Sequence, residues 1–427
     1  MNLFKQFILH SLQTSVRRLF QTNPSIKLIA VVGSVGKTST KTAIVDILSA
    51  TNRVRTNRGN FNAELSAPLE ILGVDGPKNP RSIVGWLRTI MAARRASHSR
   101  HDIDIIVQEC GIDRPGEMAA FASYLRPDIT VITAISPEHM EFFGDLATVA
   151  REEFGLSSVS KLVIYNHDDI EPAFVALAGD TPTISYGTEP GADYGLVAAD
   201  ASSDGFTCTL SHAGDTSQQF TVPVLGAHQL RITAGAAAAA LESGMQQDDV
   251  ITALERLAPV PGRMQPLKGL RGSIIIDDSY NSSPLAAASA LQTLYQLPQP
   301  RKIAVLGDMN ELGDTAEAEH QALGQLCDPA KLTHLITVGD MARHHLAPAA
   351  KARGCTVTSY ATAPEAAELL AELATADTAL LFKGSQGGIY LEEGIKPLLQ
   401  DPADSAKLVR QSPAWQEKKR RFFTTAL

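Results

Sequence analysis

The sequence predicts an α/β protein: a P-loop central ATPase domain on a mostly parallel sheet, followed by a Rossmann-like C-terminal α/β domain. Three observations carry that prediction. Apolar strand-like runs alternate with helical segments along most of the chain. A glycine-flanked turn bearing a lysine and hydroxyl residues joins the first of these runs to a helix. The alternation then breaks at LAPVPGRMQPLKG and restarts beyond it. At 427 residues the chain is long enough for two or three domains, each with its own core.

The first element lies within residues 1–26. The stretch MNLFKQFILHSLQTSVRRLFQ sets Leu3, Phe4, Phe7, Ile8, Leu12, Val16, Leu19 and Phe20 near helical spacing, with Lys5, Arg17 and Arg18 among the polar positions. Such an amphipathic segment packs on its own domain or a partner, or makes weak contact with a membrane surface. The thin basic charge favours packing.

Next come KLIAVV and GSVGKTSTKTAIVDIL, which read as strand, turn and helix. Gly33 and Gly36 let the backbone of Ser34 and Val35 turn its N–H groups toward a phosphate. The helix N-terminus adds a favourable dipole, Lys37 a point charge, Thr38 a hydroxyl for Mg²⁺, and Ser39 follows in the same turn. Val31 stands where the common Walker form has its first glycine, so a subfamily of phosphate loops is indicated. The loop implies ATP or GTP but names no reaction.

The strands DIDIIVQEC, DITVITAI and KLVIYN follow, with helices between. Ligands in such sheets collect at the carboxyl ends of strands, where Glu109 and the run ISPEHMEFFG, with His139, both fall. GLVAADASSDGFTCTLSHAGDTSQQFTVPVLG reads as short antiparallel strands, and AHQLRITAGAAAAALESG as an alanine-rich helix. Prolines and glycines near Pro261 to Lys268 then mark a linker or hinge. Beyond it GSIIIDDSY, RKIAVLGDM, THLITVGD and TALLFKGS restart the alternation. The domain expectation is 1–26, 27–262 and 263–427.

With 38 Lys and Arg against 46 Asp and Glu, the net charge is −8, which excludes a broad nucleic-acid surface. Cys110, Cys208, Cys327 and Cys355 form no C-x-x-C pair, as suits a reducing cytoplasm and no structural zinc. Cys110, next to Glu109, reads as a strand-end filler. No apolar run reaches the length of a membrane span, and no secretory leader pattern is present, so a cytoplasmic location is expected.

The phrases GSVGKTST, NRGNFNAELSAPLEIL, ISPEHMEFFG, VPGRM, IIDDSYNSSP, AVLGDMNELG and FKGSQG, in this order, resemble the Mur ligases. Within that family the similarity is greatest to members that add D-alanyl-D-alanine to a UDP-N-acetylmuramoyl-tripeptide. The resemblance implies an ATP- and Mg²⁺-dependent amide ligase of peptidoglycan precursor synthesis, working through an acyl phosphate. It implies a nucleotide-sugar peptide and D-Ala-D-Ala as partners, no nucleic acid, and a monomer. By the same resemblance Lys37, His139 and Lys383 are catalytic. Thr38, Glu109 and His139 hold metal, while Arg263 and Asn281 close on ATP. Asn60, Asn62 and Asp308 meet the substrates.

Three departures stand out. Where the family reads G-x-H-N-x-x-N, this sequence has GAHQLRIT, with Gln229 and Thr233 replacing the asparagines expected near adenine. The family's carbamylated lysine is replaced by Glu153, which keeps the negative charge on a shorter arm, reaching metal through water or else lying on a solvated helix face REE. A whole uridine-nucleotide-binding domain usually precedes the loop, where this sequence has 26 residues. That difference opens a second reading, a related ligase acting on another carrier, similar to folylpolyglutamate synthase or specific for a lipid-linked muropeptide. A third is a non-catalytic nucleotide-binding scaffold, against which the joint retention of Lys37, Thr38, Glu109, His139 and Lys383 argues.

Overall fold

The computed structural model describes residues 3–56, 65–137, 140–202, 205–212 and 214–425. The chain clusters into two units. One comprises residues 1–199, 207–222 and 231–257, the other residues 200–206, 223–230 and 258–427.

The first unit opens with helix α1 (Leu3–Thr22), strand β1 (Lys27–Val32) and helix α2 (Lys37–Leu48). Strand β2 (Val54–Thr56), helices α3 (Ser66–Leu72) and α4 (Ile83–His98), strand β3 (Ile105–Glu109), helix α5 (Glu117–Tyr124) and strand β4 (Ile129–Ile132) follow. Strands β5 (Leu162–Asn166), β6 (Thr183–Gly187), β7 (Tyr194–Ser202), β8 (Gly205–His212), β9 (Asp215–Thr216) and β10 (Phe220–Val222) complete its sheet. The order is β10-β8-β7-β6-β5-β4-β1-β3-β2, with β9 on β8. From β2 to β7 the pairings are parallel. The β8–β9 pairing is antiparallel.

Parallel strands need both faces covered, and the alternation along β1 shows how this is met. Leu28, Ala30 and Val32 join a core with α1, α3, α4 and α5, while Ile29 and Val31 are buried on the opposite face. The N-terminal helix is a packing element of its own unit. Ile8, Leu12, Val16 and Leu19 recur at helical spacing and are all buried in that core. Each stabilises by about 1.5–3 kcal/mol gross. The alanine-rich helix spans Ala227–Glu242, and Ala236 to Ala240 are fully buried, as close helix packing requires.

In the second unit β11 (Gln265–Lys268), β12 (Ile274–Asp278), β13 (Arg301–Gly307), β14 (His334–Val338), β15 (Val357–Tyr360) and β16 (Thr378–Lys383) form one sheet. The order is β11-β12-β16-β13-β14-β15, parallel except for β11 on β12. This corrects the linker expected at Pro261 to Lys268. Gln265 and Leu267 are buried while Pro266 and Lys268 face outward, so the tract is a strand. Proline is tolerated there because β11 is an edge strand and the missing N–H costs no ladder bond.

Candidate functional site

Within the first unit, β4, β1 and β3 are neighbours, and the register pairs Val31 with Glu109 and Val32 with Ile132. The phosphate-type loop after β1, Glu109 and the loop after β4 therefore leave the same edge of the sheet. Gly33 has φ +121°, and a Cβ there would lie 2.3 Å from Thr133 Oγ1 and 2.8 Å from its backbone N. Only glycine allows the loop to lie this close to β4. Thr133 Oγ1 donates to Val35 O at 2.6 Å, and Ser34 Oγ accepts the Ser136 N–H at 3.1 Å.

Gly36, at φ 91°, precedes α2, and no side chain caps that helix N-terminus. A glycine-led helix start of this kind is where anions bind in phosphate loops. Lys37 curls over the loop, donating to Gly33 O at 2.5 Å and Ser34 O at 3.1 Å. Thr38 Oγ1 donates to Glu109 Oε1 at 3.1 Å, while Ser39 is buried in the same turn. The predicted residues Gly33, Ser34, Val35, Gly36, Lys37, Thr38, Ser39 and Glu109 are thus together. A serine or threonine hydroxyl beside a carboxylate is a hard oxygen pair of the kind Mg²⁺ takes.

Lys41 was missed from the sequence. Its ammonium sits 3.3 Å from Glu109 Oε2, and both side chains are buried. The i, i+4 spacing from Lys37 would have placed the two lysines on one face of α2.

Glu153 corrects one of its sequence readings. It ends the helix Leu146–Glu153, is buried, and accepts the Gly33 N–H at 2.7 Å. The solvated face belongs to Arg151, whereas Glu152 accepts the N–H groups of Gly116 and Met118 at the start of α5. Cys110 is buried in the core, and burial raises its thiol pKa, so it is inert filler. His139, Asn60 and Asn62 lie outside the described residues.

The second unit gathers its own polar cluster at the carboxyl ends of β12, β16 and β13. Lys383 is buried, with its Nζ 2.8 Å from Asp278 Oδ2 and donating to Asn281 O at 2.8 Å. Burial pulls its pKa down, against the opposing pull of Asp278. Asn281 thus contributes its carbonyl here. Asp278 Oδ1 also accepts the N–H of Met264, whose φ of 51° is unusual for a non-glycine residue. That contact fixes the PGRM turn, and the Arg263 guanidinium lies 4.3 Å from the Tyr280 ring centroid.

Asp277 is fully buried and accepts the Ser279 N–H at 3.0 Å, and burial pushes its pKa up to about 6. Neither Asp277 nor Asp278 was singled out, although DDSYN displayed them. Asp308 accepts the Ala342 N–H at 2.7 Å and lies against Gly339, so its carboxylate caps a helix start. Burial raises its pKa. The buried His320 was also missed. Its Nε2 accepts the Met309 N–H at 2.9 Å and its Nδ1 lies 2.7 Å from Ala316 O, so the imidazole ties the LGDM turn to the helix that follows it.

Residues 31–240 match the Mur ligase middle domain, and residues 262–386 match the Mur ligase, glutamate ligase domain. The UDP-N-acetylmuramoyl-tripeptide--D-alanyl-D-alanine ligase of Bacillus subtilis is 30% identical over 381 residues, spanning 88% of this chain and 76% of that protein. The protein of the same name from Mycobacterium tuberculosis (strain CDC 1551 / Oshkosh) is 32% identical over 374 residues, 83% of this chain and 67% of the relative. A crystal structure of MurF from Acinetobacter baumannii superposes with a TM-score of 0.74 at 25% identity, covering 93% and 80% of the two chains. Mycobacterium tuberculosis folylpolyglutamate synthase complexed with ADP shares the fold, with a TM-score of 0.63 at 17% identity, over 88% and 92%.

Proposed function

From the premise that this chain belongs to the Mur ligase family, we propose that it joins D-alanyl-D-alanine to a UDP-N-acetylmuramoyl-tripeptide with conversion of ATP to ADP and phosphate. The observation that carries this is the match over 381 residues to a relative named for that reaction. The phosphate-loop cluster supplies the chemistry such a reaction needs.

A carboxylate resists attack by an amine, so the γ-phosphoryl group is first passed to it. The amine then adds to the acyl phosphate carbon, and phosphate leaves with the bonding pair. Little covalent work falls to the protein, and positioning and charge dominate. Residues Gly33 to Ser39 cradle the nucleotide phosphates, with Lys37 leaving its loop carbonyls to meet them. Thr38 and Glu109 are the described residues that would hold Mg²⁺, and His139 joins them by family resemblance. Mg²⁺ when bound offsets phosphate charge.

Glu153 acts on the loop itself, accepting a main-chain N–H and fixing Gly33. In the second domain Lys383 serves the incoming amino compound. Asp278 and the Asn281 carbonyl hold its ammonium in place, while Arg263 and Asn281 serve the nucleotide. Asp308 shapes the LGDM turn through its cap. By family resemblance Asn60 and Asn62 serve the nucleotide-sugar peptide. The domain division proposed is 1–26, 27–262 and 263–427, and the enzyme works as a cytoplasmic monomer with its four buried cysteines reduced.

ADP release measured with each substrate omitted in turn tests this reading. Turnover should need ATP, Mg²⁺, the UDP-linked tripeptide and D-Ala-D-Ala together. Release sustained by a folate or a lipid-linked acceptor, but not by the UDP-linked one, would move the chain to another carrier. ATP turnover indifferent to every acceptor would overturn the ligase reading.

A further inference from the structure

Helices α1 and α4 pack side by side in the first unit, and α4 has two faces of different use. Trp86, Ile90 and Ala93 turn into the core. On the other side Ile83 is 61% exposed, Val84 59%, Leu87 46% and Met91 51%. Phe7 of α1 is 49% exposed. Half of the exposed large hydrophobic side chains among the described residues thus stand on these two helices. At about 100° per residue, Ile83, Leu87, Met91 and Val84 share one arc of roughly 100°, into which Arg94 and His98 also fall one or two turns later. Arg88 and Arg95 border it. The outward face is apolar at its start and cationic toward its end.

The sequence around this face is predominantly basic, with Asp75 and Asp102 as the nearest acidic residues on either side of α4. Residues 1–26 hold Lys5, Arg17 and Arg18, and residues 76–101 hold Lys78, Arg81, Arg88, Arg94, Arg95 and Arg100, with no Asp or Glu in either stretch. This occurs in a chain whose net charge is −8. All nine of these basic side chains are exposed. Core packing does not require such a face, since the buried side of α4 already supplies that.

We propose that the outward face of α4, with Phe7 of α1, docks the protein on an anionic lipid bilayer. The apolar side chains enter the headgroup boundary, and the surrounding Lys and Arg residues meet lipid phosphates. A second copy of the chain is a poorer occupant, because a face-to-face pair would bring two sets of like charges together around the apolar stripe. Bilayer docking is independent of the ligation reaction and involves none of its residues.

The experiment is flotation of the full chain with vesicles of phosphatidylcholine alone, and of phosphatidylcholine mixed with phosphatidylglycerol, at low and high salt. Binding to the anionic vesicles should exceed binding to the neutral ones by about tenfold or more and should weaken in high salt. Val84→Asp with Leu87→Asp, and separately Arg94→Glu with Arg95→Glu, should each abolish it. Leu285→Asp with Leu326→Asp, at exposed apolar positions elsewhere, should leave it unchanged. These are surface changes, and unchanged ligation in solution reports that each variant is folded. Equal or absent binding to both vesicle types would overturn the proposal. So would a concentration-dependent dimer, seen by ultracentrifugation and lost in Val84→Asp with Leu87→Asp, that binds no vesicles.

Discussion

Glu153 and Gly33, 120 positions apart in sequence, are joined by a 2.7 Å hydrogen bond from the Gly33 N–H to the Glu153 carboxylate. A permanent carboxylate thus stands against the phosphate loop where the family resemblance places a carbamylated lysine. Ligation should therefore be indifferent to added bicarbonate. Glu153→Ala removes a charge-assisted bond worth about 1.5–3 kcal/mol. Nucleotide affinity, measured by titration calorimetry, should fall roughly tenfold or more. Glu153→Gln keeps an acceptor oxygen and should lose only a few-fold. Bicarbonate stimulation of the parent enzyme, or equal affinity in all three proteins, would remove this role.

Lys37 spends its ammonium on Gly33 O and Ser34 O and is only half-buried. Lys37→Ala should cost ligation by about 10²–10³-fold, the scale of a lost electrostatic contact to a reacting group. Thermal unfolding should shift by no more than about 1 kcal/mol in free energy, because no core contact is lost. Near-full activity in this variant would exclude the loop from the mechanism.

The strand architecture was legible because apolar runs such as IAVV and IIID alternate with helical spacing, and because Gly33 and Gly36 punctuate the first of these junctions. Five things were not. Gln265 to Lys268 form a strand whose period-2 pattern is broken by Pro266, tolerable only at a sheet edge. The buried Lys41–Glu109 pair and the Glu153 contact depend on which strand ends adjoin, and a sequence does not show strand order. Asp278 acts through Met264 and Lys383, distant in sequence and brought together by the β12–β16 pairing. The cap that Asp308 Oδ1 makes on the Ala342 N–H likewise joins residues distant in sequence.

Asp277 gives a pH signature. Burial lifts its pKa from the ordinary 3.8 to about 6, with the Asp278 and Glu392 charges pushing the same way and the Ser279 hydrogen bonds opposing. The folded state therefore holds a proton that the unfolded chain has lost between these values. Its contribution to stability is full below about pH 4 and is lost as pH rises through 6. Asp277→Asn keeps an oxygen for the Ser279 N–H and carries no charge. It should stabilise the protein by about 1–3 kcal/mol at pH 8 and by almost nothing at pH 4. Denaturant unfolding at the two pH values measures this, and an equal effect at both would refute the ionisation account.

The most direct test of the central claim is product mass. The purified full chain is incubated with ATP, Mg²⁺, D-Ala-D-Ala and a UDP-N-acetylmuramoyl-tripeptide, and the mixture is read by mass spectrometry beside parallel reactions offered a folate or a lipid-linked muropeptide. The expected result is one new species, the UDP-linked pentapeptide, formed with one ADP per amide bond and absent with Lys37→Ala. An unaltered UDP-linked tripeptide, while another acceptor gains mass or ATP is hydrolysed with no acceptor modified, would contradict it.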